Sequence, residues 1–164
     1  MKIDKLKARE LISYSGEMIV MRDAAQKRLM EMYSKGLKLP VTLSNGIVFY
    51  AGPAKAPKEK GVGAIGPTTS VRMDGYLEML YEFGVIATVG KGKRSHKAIE
   101  LCKKYARVYF ITPSGCAAAM SKRIDKIEIL AFEDLGTEAI YKIECHNFPL
   151  LVAIDSSGAD IFDV

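Results

Sequence analysis

A Gly-Pro turn that leads into three hydroxyl side chains and an arginine constrains the fold of this chain most strongly. It occupies residues 66–74, Gly-Pro-Thr-Thr-Ser-Val-Arg-Met-Asp. Gly-Pro is typical of a turn, Thr69 or Ser70 is suited to cap a helix, and apolar residues then recur at helical spacing. The pattern therefore predicts a helix start whose N–H groups, hydroxyls and Arg72 offer hydrogen bonds to an anion. The alternative is simple capping, with Arg72 in solvent.

Short apolar segments alternate with helical patterns along the rest of the chain. We predict strands at 16–21, 47–52, 85–89, 107–112, 127–132, 139–145 and 150–155, and helices over 23–35, after Ser95 and over 116–121. Residues 7–12 are a polar lead-in with room for one helical turn. The order of these segments predicts an α/β fold with a mixed sheet. With 164 residues, the chain has the usual length of one domain, which we expect to cover residues 1–164.

Composition and charge exclude several classes of protein. Hydrophobic residues make up 49% and charged residues 26%, as in an ordinary globular protein. No apolar run reaches membrane-spanning length and no signal peptide is recognisable, so we expect a cytoplasmic protein without a membrane partner. The net charge of +5 suits an acidic ligand or partner of any kind. Nucleic-acid binding is disfavoured because the cations are dispersed and tryptophan is absent.

The cysteines and histidines indicate neither a metal site nor a general base. Cys102, Cys116 and Cys145 are odd in number and far apart, so we expect buried free thiols and no metal ligands. His96 and His146 stand in hydrophilic surroundings that are typical of the surface.

Two glycine-rich segments resemble nucleotide-binding motifs without fulfilling them. Residues 61–66 match Gly-x-Gly-x-x-Gly, but a lysine-rich loop stands where a strand is required, so we predict a close backbone approach or a tight turn. Residues 90–92, Gly-Lys-Gly, lie between a strand and a helix, yet the spacing of a triphosphate-binding loop fails. An anion-binding loop and a plain lysine-coated surface both remain open there.

Three cationic features follow predicted strands: Arg22, the stretch from Thr68 to Arg72, and Lys91. The carboxyl ends of strands in α/β sheets gather at one edge, where ligands generally bind. Two arginines and a lysine at such an edge suit a small dicarboxylic acid, since guanidinium pairs with planar carboxylates. A threonine hydroxyl transfers a proton only when a neighbouring charge or base activates it. The chain is therefore either a binding domain or part of a site that a partner completes.

Four stretches carry a resemblance to a known family. They are residues 22–28, 66–74, 89–95 and 130–140, which span nearly the whole chain. In sequence and order they resemble the β subunit of class I, iron–sulfur-dependent fumarate hydratase and L-tartrate dehydratase. Two positions depart from that pattern: Gln26 stands where many relatives have histidine, and Val71 where they have glycine.

The resemblance implies a fold, an activity and a partner. The implied fold is a swivelling β/β/α domain with a mixed central sheet and flanking helices. The implied enzyme is inactive without its α subunit and assembles as an α2β2 heterotetramer. The 4Fe–4S cluster is expected on that α subunit and not on this chain's cysteines. The substrate-binding residues that the resemblance implies are Arg22, Thr68, Thr69, Arg72 and Lys91, with Thr68 as the catalytic proton carrier.

The expected reaction is the reversible hydration of fumarate to (S)-malate. A subunit that acts on L-tartrate or methylfumarate is the alternative within the enzyme class. A non-catalytic anion-binding regulatory module is the alternative from another class.

Overall fold

The computed structural model describes residues 1–53, 64–112 and 117–163. Its seven strands are β1 Leu11–Met21, β2 Ile47–Pro53, β3 Ile65–Pro67, β4 Ala87–Gly90, β5 Val108–Ile111, β6 Ile124–Ala131 and β7 Ile140–Ile154. The α-helices are α1 Asp23–Ser34, α2 Leu77–Glu82, α3 His96–Tyr105 and α4 Ala117–Ser121. Three 3₁₀ helices cover Ile3–Lys5, Ser70–Tyr76 and Glu133–Glu138.

Parallel and antiparallel pairing combine in one sheet. Strands β1, β2, β4 and β5 pair in parallel in that order. Strand β7 runs antiparallel to both β5 and β1, so these five strands close into a barrel-like ring. Strand β6 adds to β7, and the short β3 folds back on the end of β2. The predicted α/β fold with a mixed central sheet and flanking helices is confirmed.

The alternation of side chains along each strand divides the interior into two cores. Val20 and Phe49 lie in one core, where the Phe49 ring meets that of Phe148 edge-on at 5.8 Å between centroids. Their chain neighbours Met21 and Tyr50 point the other way and pack in the core that α1, α2 and α3 cover. Both faces of the sheet are thus buried, which explains the continuous apolar runs of β2 and β4.

Two strands are longer than the sequence patterns predicted. Strand β1 begins at Leu11 because residues 11–14 pair with residues 148–151 of β7, so the helical turn expected within residues 7–12 is wrong. The two strands predicted at 139–145 and 150–155 form one strand, β7, in which Asn147 adopts φ 46° and accommodates an irregularity. These pairings join residues more than a hundred positions apart, and local patterns carry no information about them.

The helix boundaries agree more closely with the sequence. Gly36 and Gly84 follow α1 and α2 with φ of 68° and 91°, as expected of glycines that end helices. The helix predicted over 116–121 is present as Ala117–Ser121, and Cys116 lies outside the described residues. Residues 61–63, the first half of the glycine run 61–66, also lie outside them. In the described part of the chain, no helix has the length and apolar character needed to cross a membrane.

Candidate functional site at one edge of the sheet

The carboxyl ends of β1, β2 and β4 meet at one edge, as their parallel pairing requires. Arg22 directly follows β1, and Lys91 directly follows β4. Strand β3 pairs antiparallel with the end of β2, which carries the next residues back to the same edge. The Thr68 N–H then donates a hydrogen bond of 2.8 Å to the Tyr50 carbonyl. All three predicted cationic junctions are therefore located at this edge.

A backbone bridge joins the threonine segment to the Gly-Lys-Gly segment. Thr69 and Lys91 form a parallel β-bridge, and the Ser70 N–H donates to the Lys91 carbonyl at 3.1 Å. The close approach depends on Gly90, because a Cβ atom added there would clash with the Ser70 hydroxyl. Two segments that are twenty residues apart in sequence thus form one continuous surface.

Arg72 connects this surface to the start of α1. Its guanidinium donates to the Thr68 hydroxyl at 2.7 Å and lies 3.4 Å from an Asp23 carboxylate oxygen. The Arg72 side chain is 50% exposed and that of Asp23 is 42% exposed. Exposed ion pairs of this kind contribute little to stability, so a ligand carboxylate can replace Asp23 at small cost.

Arg22 also lies at the start of α1, as the single residue between β1 and the helix. Its aliphatic stem crosses Gly52 so closely that an added Cβ there would lie 2.7 Å from the Arg22 Cδ. The guanidinium faces Glu138 at 4.0 Å, a loose pair in which both side chains are about one-third exposed. Among the described residues, the Arg22 Nε has no hydrogen-bond partner. The arginine is therefore oriented by Gly52 and Glu138 without being fully paired.

The helix start at the opening motif differs from the prediction in its detail. Ser70–Tyr76 is a 3₁₀ helix that continues into α2, and Thr69 occupies the N-cap position without a capping hydrogen bond from its side chain. Capping by the Thr69 or Ser70 hydroxyl is therefore wrong. The Ser70 hydroxyl instead accepts a hydrogen bond from the Lys91 N–H at 3.1 Å. Thr69 itself is exposed at the edge of the sheet.

A buried ion pair beneath the site was not recognised in the sequence. The Arg94 Nε donates to Asp74 at 2.5 Å, and the Arg94 side chain is 0% exposed. The other Asp74 oxygen accepts the Ser95 N–H at 2.8 Å, so this carboxylate supports the start of α3. Burial by itself lowers the pKa of Arg94, but Tyr50 and Asp74 beside it raise that pKa above its ordinary value. Arg94 therefore stays charged at all ordinary pH values.

Gln26 is fully buried one helical turn after Arg22. Its side chain is 0% exposed, and neither its amide nitrogen nor its amide oxygen has a hydrogen-bond partner among the described residues. Buried polar groups are normally paired, and an unpaired one costs about 1–3 kcal/mol. The departure from the family pattern at position 26 thus falls in the interior, directly behind the site.

Replacing Gln26 with methionine is expected to raise the free energy of unfolding by about 1 kcal/mol, because an apolar side chain of similar shape removes unpaired polar atoms from the interior. Gln26→Ala is the control: it removes the same amide but leaves a cavity, so it should lower stability. Urea unfolding of the three proteins measures the difference. A clear loss of stability in the methionine variant would show that the amide has a partner, such as a buried water.

The two described cysteines lie in surroundings that disfavour the thiolate form. Iron–sulfur ligands are thiolates, which form readily only where the surroundings favour the charge. Burial raises the pKa of Cys102, and it raises the pKa of Cys145 to about 11. Both are buried and free, as predicted, and Cys116 lies outside the described residues.

Both histidines are exposed, so the surface placement predicted for them is confirmed. His96 pairs with Glu100, and His146 pairs with Asp125.

The mixed sheet closes into a ring, and hydroxyl and cationic side chains lie at the edge where its parallel strands end. The chain is therefore an α/β protein with a cationic site at this edge of the sheet. The sequence model of the family described as Fumarase C-terminus matches residues 1–164. The chain belongs to this family, and the resemblance found in the sequence is confirmed.

Individual relatives differ in how much of their length the chain covers. It is 37% identical to fumarate hydratase 1, mitochondrial, from Leishmania major, over 99% of this chain and 30% of that protein. It is 37% identical to the anaerobic class I fumarate hydratase of Escherichia coli, over 92% of this chain and 28% of that protein. With a putative L(+)-tartrate dehydratase subunit beta from Methanocaldococcus jannaschii it shares 34% identity, over 98% of this chain and 86% of that subunit. The chain thus spans under a third of these fumarate hydratases and most of this β subunit.

Class I fumarate hydratases are iron–sulfur enzymes. Within residues 1–53, 64–112 and 117–163, no group of three or more histidine, cysteine, aspartate or glutamate side chains is arranged to hold a metal ion.

Proposed function

We propose that this chain is the β subunit of a hydro-lyase that reversibly hydrates fumarate to (S)-malate. One observation carries the proposal: in a member of the Fumarase C-terminus family, the Arg72–Thr68 hydrogen bond and the Thr69–Lys91 bridge assemble hydroxyl and cationic groups at one sheet edge. A planar dicarboxylate requires this combination of groups. Each carboxylate needs cationic donors, and the carbon–carbon double bond between them needs a proton carrier.

Arg22, Arg72 and Lys91 are proposed to bind the two carboxylates. The acidic partners of Arg72 and Arg22 are loosely paired, with Asp23 at 3.4 Å and Glu138 at 4.0 Å. Substrate carboxylates would replace these partners with paired hydrogen bonds to the guanidinium groups. Asp23 and Glu138 thereby keep the arginines oriented before substrate arrives.

Thr68 is proposed to carry the proton, with Thr69 positioning the reacting carbon. During hydration, water supplies a hydroxyl group to one carbon of fumarate and Thr68 gives its proton to the other, and the remaining proton of water then restores the Thr68 hydroxyl. A threonine hydroxyl is a weak acid, and the Arg72 guanidinium at 2.7 Å from its oxygen stabilises the negative charge that forms when the proton leaves. Arg72 therefore has two roles, in binding substrate and in activating Thr68.

An α subunit is proposed to complete the site. Its 4Fe–4S cluster is implied by the family, and the raised pKa values of Cys102 and Cys145 fit a chain that does not itself hold the cluster. The relative named as a β subunit, which this chain covers to 86%, favours a separate α partner. We propose an α2β2 heterotetramer in the cytoplasm, with residues 1–164 as one β-subunit domain.

L-tartrate dehydration is the second candidate reaction. It is favoured because this chain aligns with 86% of the length of the putative tartrate dehydratase β subunit. The same cationic groups would bind tartrate, because it is also a four-carbon dicarboxylate. Methylfumarate hydration is a further variant of this reaction. A regulatory anion-binding module without catalysis is the alternative that requires no partner cluster.

Reconstitution tests these proposals. The chain is co-expressed with an α subunit of this enzyme class, purified without oxygen, and assayed with fumarate, (S)-malate, L-tartrate and methylfumarate. We expect fumarate and (S)-malate to interconvert with the highest kcat/KM and neither chain to act alone. Preference for L-tartrate or methylfumarate would replace the substrate assignment. No turnover of any of these acids by an intact, cluster-loaded complex would refute the hydro-lyase assignment in favour of the regulatory module.

A further inference from the structure

A chain of hydrogen bonds runs beneath the site and connects both ends of the Lys91–Gly92 pair. The Lys91 N–H donates to the Ser70 hydroxyl oxygen at 3.1 Å. The Tyr109 hydroxyl lies 2.9 Å from the Ser70 hydroxyl and 2.9 Å from the Gly92 carbonyl. Ser70 and Tyr109 are both 0% exposed, so these bonds form out of contact with solvent.

Tyr109 is the donor in both of its hydrogen bonds, to the Ser70 oxygen and to the Gly92 carbonyl. A hydroxyl has a single hydrogen, so Tyr109 shares it between these two acceptors. The Ser70 oxygen accepts from the Lys91 N–H as well as from Tyr109. Ser70 and Tyr109 together therefore link the N–H of Lys91 to the carbonyl of Gly92.

Arg94 holds the Tyr109 ring in place. Its guanidinium lies 4.8 Å from the centroid of the Tyr109 ring and 5.2 Å from that of Tyr50. Arg94 is itself fixed by its hydrogen bond to Asp74. Asp74 lies in the 3₁₀ helix that begins at Ser70. Burial raises the pKa of Tyr109 to about 12, so its hydroxyl remains protonated and can donate at neutral pH.

We propose that Ser70 and Tyr109 are positioning residues, which set the place of Lys91 relative to Thr68 and Thr69. Ser70 directly follows Thr69, so the bonds that hold Ser70 to the Lys91 main chain also set the spacing between the threonine segment and the backbone from which the Lys91 side chain extends. The role in catalysis rests on the function proposed above, in which Lys91 binds a substrate carboxylate. Neither Ser70 nor Tyr109 needs to touch substrate.

Tyr109→Phe and Ser70→Ala test the proposal against a matched control, Tyr81→Phe. Tyr81 is equally buried, and its hydroxyl contacts the Cys102 sulfur at 3.4 Å, so this variant also loses a buried tyrosine hydroxyl but none of the bonds to Lys91 or Gly92. Tyr109→Phe keeps the ring next to Arg94, which preserves the packing.

The first readout is hydrogen exchange of the Lys91 backbone amide in the intact chain. We expect exchange to become about tenfold faster in Ser70→Ala and Tyr109→Phe, and to be unchanged in Tyr81→Phe, since only the first two variants break the chain of bonds. In the variant that carries both Ser70→Ala and Tyr109→Phe, the Lys91 amide should exchange about as fast as in Ser70→Ala alone, because Tyr109 acts on Lys91 through Ser70. Unchanged exchange at Lys91 in Tyr109→Phe would overturn the proposal.

The second readout is the kinetics of the assembled enzyme. Lys91 holds substrate throughout the reaction, so both variants should raise KM about tenfold and change kcat little. A general loss of folding would instead lower the amount of active enzyme in all variants, including Tyr81→Phe. KM values equal to that of Tyr81→Phe would overturn the positioning role. If the wild-type complex turns over none of the acids, the proposed function fails, whereas the exchange result still decides whether the bonds hold Lys91.

Discussion

Arg72→Ala is expected to lower kcat/KM of the reconstituted enzyme by about 100- to 1000-fold, the usual effect of removing one partner of a desolvated charge pair. The loss combines two effects, because Arg72 is proposed both to bind a carboxylate and to stabilise charge on Thr68, whose hydroxyl it contacts at 2.7 Å. The free energy of unfolding should hardly change, since the Arg72–Asp23 pair is exposed. Steady-state kinetics beside thermal unfolding measures both quantities.

Arg28→Ala is the matched control for this prediction. Arg28 makes two hydrogen bonds of 2.8 Å to Asp134, so its loss removes a comparable surface arginine that is not among the residues proposed to bind substrate. Its kcat/KM should stay within about twofold of wild type. Arg72→Lys should be intermediate, because it keeps the charge but loses the paired donors of guanidinium. Full activity in Arg72→Ala would refute both roles given to this side chain.

Arg22 and Lys91 could be placed at one edge from local sequence, whereas the threonine segment reaches that edge through β3, a strand that the sequence did not indicate. Arg22 and Lys91 each come directly after a short apolar strand, and parallel strands necessarily end on the same side of the sheet. The position of these junctions depends only on strand order and direction. Glycines and helical periodicity are local signals, so they also placed the ends of α1 and α2 correctly.

The parts of the site that depend on distant residues were not predictable. Arg94 ends the basic run of residues 91–94, which looks like an exposed surface loop, yet it is buried because Tyr50, Asp74 and Tyr109 surround it. These partners lie 15 to 44 residues away, on three different elements. Asp74 accepts from Arg94 and from the N–H of Ser95, which lie 20 and 21 residues further along the sequence. The sequence around a charged residue in a basic run does not indicate that its side chain is buried.

The Arg94–Asp74 pair is expected to be the most sensitive point of the fold. Asp74→Ala leaves a guanidinium charge buried without its carboxylate, and breaking a buried pair in this way costs about 3–5 kcal/mol. It also removes the acceptor of the Ser95 N–H at the start of α3. We therefore expect a large drop in the urea concentration at the unfolding midpoint. Asp134→Ala removes the carboxylate from the exposed Arg28 pair and should have a far smaller effect.

The double variant Arg94→Met with Asp74→Ala distinguishes the charge from the packing. If the uncompensated charge causes the loss, removing Arg94 as well should recover much of the stability of the single variant, because an apolar side chain needs no partner. The double variant should nevertheless have a raised KM, since Tyr109 loses the guanidinium that packs against its ring at 4.8 Å. Equal stability of the single and double variants would contradict the first expectation. An unchanged KM would show that Tyr109 holds the Lys91–Gly92 segment without Arg94, so the pair would serve stability alone.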